Sequence, residues 1–85
     1  MKLPVIKSVV QFIEQNDEDY ILETLEVLEH LSQAQGLKDE EVEVIGELIS
    51  NMYGGLEVIK EMKNGTPMKD ALNGFMKRVL GSIDK

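Results

Sequence analysis

An all-α fold, a compact bundle of about four helices, is what the sequence predicts. Three observations lead there. Apolar residues return every three or four positions through most of the chain, which is the period of a helix face. Short punctuating segments at Asn16-Asp17, Gly36 and Asn64-Gly65 cut the chain into four stretches. No stretch keeps the two-residue alternation of a half-buried strand.

The first stretch predicts a helix from Leu3 to about Gln15. Pro4 suits the first turn, where a missing N–H costs nothing. Ile6, Val9, Val10 and Ile13 form an apolar stripe, widened by Val5 and Phe12. The second helix is capped by Asp17, with Glu18 and Asp19 at the positive end of its dipole, and runs to about Ala34. Its buried face is expected at Tyr20, Ile21, Leu25, Leu28 and Leu31, with Gly36 as the stop.

The third helix is the longest, from near Asp39 to about Lys63. Val42, Ile45, Ile49, Met52, Leu56 and Ile59 step by three and four, the seam of a left-handed bundle. Val44, Leu48, Val58 and Met62 add a second edge, so the apolar arc spans roughly 200°, wider than one stripe. A helix this apolar belongs at the centre, or touches both its own bundle and something else. Thr66-Pro67 opens the fourth helix, Met68, Leu72, Phe75, Met76, Val79 and Leu80 face inward, and Gly81 closes it, leaving the last residues to fray. Short connections favour antiparallel neighbours within a single helical domain over residues 1–85.

Composition narrows the function. The 85 residues carry a net charge of −7 and no cysteine, so neither disulfides nor thiolate chemistry contribute. A domain this small has a thin stability margin and gains from association. Between Ser8 and Leu37 there is no Lys or Arg, while Glu14, Asp17, Glu18, Asp19, Glu23, Glu26 and Glu29 all fall there. Nucleic acids and anionic membranes need clustered positive charge, so neither is expected as a partner. No apolar run approaches the roughly 20 residues of a membrane span. Lys7 and Ser8 interrupt the N-terminal apolar stretch, which argues against a signal peptide and for a cytoplasmic protein.

Chemistry-bearing patterns are sparse. Asp19, Glu23, Glu26 and His30 share one side of the second helix. A di-iron bundle needs Glu-x-x-His on two helices, but Val27 precedes His30 by three and there is no second histidine. Glu23, Glu26 and His30 are therefore the residues a metal-binding protein or small enzyme would use, against the simpler reading of a solvated or partner-steering acidic face. Ser8, Ser32, Ser50 and Ser82 lack a nucleophile elbow. Acyl carrier proteins share this size and acidity, but their Asp-Ser-Leu attachment motif has no counterpart where the second helix begins Asp17-Glu18-Asp19. No cofactor is implied, and no enzymatic activity is expected.

The third helix carries the pattern that most needs a reason. Gly46, Ser50 and Gly54 recur at four-residue spacing, and each mid-helix glycine costs about 1 kcal/mol against alanine. Small residues in a row admit another backbone, either from within the bundle or from a partner, and Gly54-Gly55 also allow a kink. Met52, Met62, Met68 and Met76 suit irregular gaps in a core, or an adaptable groove. The segments from Phe12 to Tyr20 and from Glu47 to Gly54 resemble a small uncharacterised family of bacterial helical proteins. The resemblance extends over nearly the whole chain and implies no activity and no functional residues.

The expected function is a non-enzymatic interaction module that self-associates as a dimer. Ile45, Gly46, Ile49, Ser50, Met52, Tyr53, Gly54 and Leu56 are the candidate interface residues. The alternative is an adaptor whose acidic second helix binds a basic partner protein.

Overall fold

The computed structural model describes residues 2–83, with side chains described for residues 2–79. Four helices follow in order, α1 (Leu3–Gln15), α2 (Asp19–Leu31), α3 (Asp39–Lys63) and α4 (Met68–Ile83), and no strand occurs among the described residues. The all-α bundle read from periodicity is thus the observed fold. α3 packs against each of the other three helices, and α1 also packs against α4.

The helix ends obey local rules. Lys38 is extended ahead of α3, and the Glu41 carboxylate accepts its N–H at 2.9 Å, one half of a capping box. Asp39, Glu40 and Glu41 sit in the first turn and Lys60 and Lys63 in the last, matching the dipole. At its far end the N–H of Gly65 donates to Met62 O and that of Thr66 to Glu61 O, at 3.0 and 3.1 Å. With Gly65 at φ 102°, this is a Schellman motif, which needs a left-handed residue.

Three expectations change. α2 ends at Leu31, and the N–H groups of Gln33 and Ala34 donate three residues back, to His30 and Leu31. The turn to Ala34 is therefore a tightened continuation, and Gly36 (φ 87°) belongs to the connection rather than to the helix end. Asp17 precedes the cap position, which Glu18 occupies, but its Oδ1 still accepts the Asp19 N–H at 3.2 Å. α4 continues through Gly81 to Ile83; a glycine in a last turn lowers helix propensity by about 1 kcal/mol but does not by itself end a helix. The inward position expected of Leu80 and the last residues, 84–85, lie outside the described side chains and residues respectively.

Ile6, Val10 and Ile13 from α1, Ile21 and Leu25 from α2, Val58 and Ile59 from α3, and Ala71, Leu72 and Phe75 from α4 form one core. Met52, Met62, Met68 and Met76 are partly buried against it, as gap-fillers would be. Tyr20 and Leu31, expected in the buried face of α2, are 57% and 44% exposed. α2 rests chiefly on α3, so only a narrow stripe is covered, and the Tyr20 ring turns edge-on to Phe12 at 5.7 Å. The start of α2 lies by the end of α3, where Lys63 Nζ meets Glu18 Oε2 at 3.2 Å, so these two helices are antiparallel.

The molecule is flat, with extents of 44 × 35 × 17 Å. Its radius of gyration, 13.8 Å, exceeds the value of about 12 Å usual for this length. Helix lengths explain part of this. At 1.5 Å per residue α3 reaches about 37 Å, whereas α1 and α2 reach about 20 Å each. No single neighbour can cover α3 from end to end.

Candidate interaction surfaces

The buried residues of α3 all lie in its second half: Asn51, Gly54, Gly55, Val58 and Ile59. There α1 approaches closely because two glycines permit it. A methyl group on Gly55 would sit 3.0 Å from Val9 Cβ and nearer still to Val9 Cγ1. One on Gly54 would lie 3.1 Å from the Phe75 ring of α4 and 3.3 Å from Ile6 Cδ1 of α1. Of the ridge seen in sequence, Gly54 therefore serves packing within its own chain. Gly46, two turns earlier, has nothing within 4 Å of its added methyl position. Gly55, the tightest approach, lies outside the four-residue spacing that drew attention to the other two.

Asn51 escaped the sequence reading altogether. It is 3% exposed, and its Oδ1 accepts the N–H of Lys2 at 3.0 Å. Lys2 is the N-cap residue of α1, so a side chain of α3 pins the first turn of α1 to the middle of α3. The available signal was a polar amide set between Leu48 and Gly55 within an otherwise apolar arc.

Beyond Asn51, toward its own N-terminus, α3 runs past the start of α1. At 100° per residue Val44 and Leu48 fall on the same side of the helix as Asn51, Gly55 and Val58. In the second half that side is covered; at Val44 and Leu48 it is 59% and 38% exposed. The overhang forms one wall of a depression of about 380 Å³, facing Lys2 and Val5 of α1. Glu40, Glu43 and Glu47 stand on the same wall. On the other flank of α1 a second depression, about 350 Å³, lies between α1 and α4, with Leu3, Met68 and Leu72 inside it and Lys7 and Lys69 at its edges.

The predicted interface residues divide by position. Ile45, Ile49, Ser50, Met52 and Leu56 are half-buried, Gly46 and Tyr53 are exposed, and Gly54 is buried. Tyr53 borders an acidic groove of about 330 Å³ with Asp19, Glu23, Glu26 and Glu29 of α2. Met52 forms part of a separate apolar crevice with Phe12 and Tyr20. Glu23, Glu26 and His30 are all exposed, and the described residues contain no group of three or more acidic or histidine side chains placed to hold a metal ion. No helix among the described residues is long and apolar enough to cross a membrane.

Residues 1–84 match the model of a family of unknown function, DUF6952. The chain belongs to the DUF6952 family. The resemblance to an uncharacterised family read from the segments at Phe12 to Tyr20 and Glu47 to Gly54 agrees with this match. No curated protein and no solved structure matches the chain. Membership of DUF6952 assigns neither an activity nor functional residues, so the surfaces described above carry the functional reading.

Proposed function

We propose that this DUF6952 chain is a non-enzymatic interaction module that self-associates through α3, in its simplest form as a two-fold dimer. The observation that supports this reading is the uncovered continuation of the core-facing side of α3 at Val44 and Leu48. Exposed apolar side chains in a continuous face next to a core are where partners dock. The thin margin of a small domain without cysteine adds a thermodynamic motive. Ile45, half-buried on the neighbouring side of α3, borders the same surface, while Ile49 packs against the chain's own core.

Sedimentation of the purified chain at tens of micromolar tests the proposal. A dimer is expected, and Val44→Asp is expected to give a folded monomer, because Val44 makes little contact with its own core. A wild-type chain that sediments only as a monomer removes the reading.

A second reading has its own support in the groove between α2 and Tyr53. Four carboxylates surround it, a field suited to a basic partner protein. Binding there weakens as salt rises, since exposed charges are screened. An interaction insensitive to salt between 50 and 500 mM, about a threefold change in Debye length, would argue against it.

A further inference from the structure

We propose how the second copy docks: the acidic overhang of α3 in each subunit enters the basic groove between α1 and α4 of the other. This rests on the self-association reading and names its geometry. The two depressions flank the first turns of α1, whose Lys2 and Val5 face one and Leu3 and Lys7 the other. Each is lined by three apolar side chains among polar and charged ones, and their net charges have opposite sign. Glu40, Glu43 and Glu47 outnumber Lys2 at the first, whereas Lys7 and Lys69 meet no carboxylate at the second.

Two complementary patches on one chain can form a single self-complementary surface, which is what an isologous contact requires. A two-fold rotation sets the acidic patch of one copy on the basic patch of the other, and the reverse contact forms at the same time. Pairing α3 directly with its symmetry mate through this wall would gather Glu40, Glu43 and Glu47 of both copies, a like-charge crowding that penalises binding. Val44 and Leu48 supply the apolar ridge, and Leu3, Met68 and Leu72 the apolar floor that receives it. A standard interface removes about 800 Å² from each partner, roughly an eighth of the 6061 Å² surface of this chain. An interface of that size extends beyond the two grooves onto the surface around them.

Charge reversal tests the arrangement. The variants are E43K/E47K and K7E/K69E, all four at exposed side chains, with helicity checked by circular dichroism. Each variant alone brings like charges together at both contacts, and dimerisation should weaken at least about tenfold. Mixed in equal amounts they present opposite charges at both contacts, and a heterodimer should form with near wild-type affinity. The quadruple variant, carrying both reversals, should regain a homodimer. If the wild type dimerises and either reversal leaves its affinity unchanged, this docking mode is overturned while self-association stands. If both variants are folded monomers and neither the mixture nor the quadruple variant pairs, the mode is likewise overturned. A monomeric wild type removes both the mode and the reading beneath it.

Discussion

Replacing Gly55 with alanine should destabilise the fold, whereas the same replacement at Gly46, nine residues earlier in α3, should stabilise it. Both changes gain about 1 kcal/mol of helix propensity, because alanine loses less backbone entropy. At Gly46 nothing lies within 4 Å of the new methyl group, so the whole gain should appear. At Gly55 the methyl group would stand 3.0 Å from Val9 Cβ, with Val9 Cγ1 closer and the α1 backbone behind it at Ile6 O, 3.9 Å away. Valine in a helix holds one side-chain rotamer, so the clash cannot be relieved by rotation. α1 must move outward instead, and overpacking of this kind costs about 1–3 kcal/mol. The two variants should therefore differ by about 2 kcal/mol, with wild type between them. For a domain of this size that separates their melting temperatures by about 10 °C. Urea and thermal unfolding followed by circular dichroism, at one fixed protein concentration, give the comparison. Adding Val9→Ala to Gly55→Ala should recover part of the loss, as a favourable coupling in the double-mutant cycle. Gly55→Ala as stable as Gly46→Ala would refute the close approach of α1.

Other outcomes follow from the same contacts. Gly54→Leu should lose about 3 kcal/mol or more, since Phe75 and Ile6 leave no room for four added carbons; a near-native urea midpoint would contradict this. Asn51→Ala should cost about 1 kcal/mol and speed amide exchange in the first turn of α1, because the Lys2 N–H loses its acceptor. Lys63→Ala should cost under about 0.5 kcal/mol in unfolding free energy, since its pair with Glu18 is largely exposed and screened.

Much of the secondary structure was legible because its causes are local. The extent of α3, Asp39 to Lys63, follows from acids in the first turn, lysines in the last and Gly65 in a left-handed conformation. α1 was equally plain from Pro4 and a stripe of β-branched residues. α2 was the least faithful. Tyr20 and Leu31 share the period of Ile21 and Leu25, but periodicity states only that a side is apolar, not how widely a neighbour will cover it. The glycines were misranked for a related reason. Four-residue spacing drew attention to Gly46 and Gly54, while the closest helix approach falls on Gly55.

From its sequence alone this chain is committed to four helices, their order, the ends of α1 and α3 and a strongly polarised charge pattern. These depend on hydrogen bonds, dipoles and side-chain periods that span a few residues. Tertiary structure decided that α3 is covered at Val58 and bare at Val44, that Asn51 holds the start of α1, and that grooves of opposite charge flank α1. The apolar side of α3 runs from Val44 through Leu48, Gly55 and Val58, interrupted at Asn51, but the helices that cover it are shorter, and where their cover stops depends on how they cross.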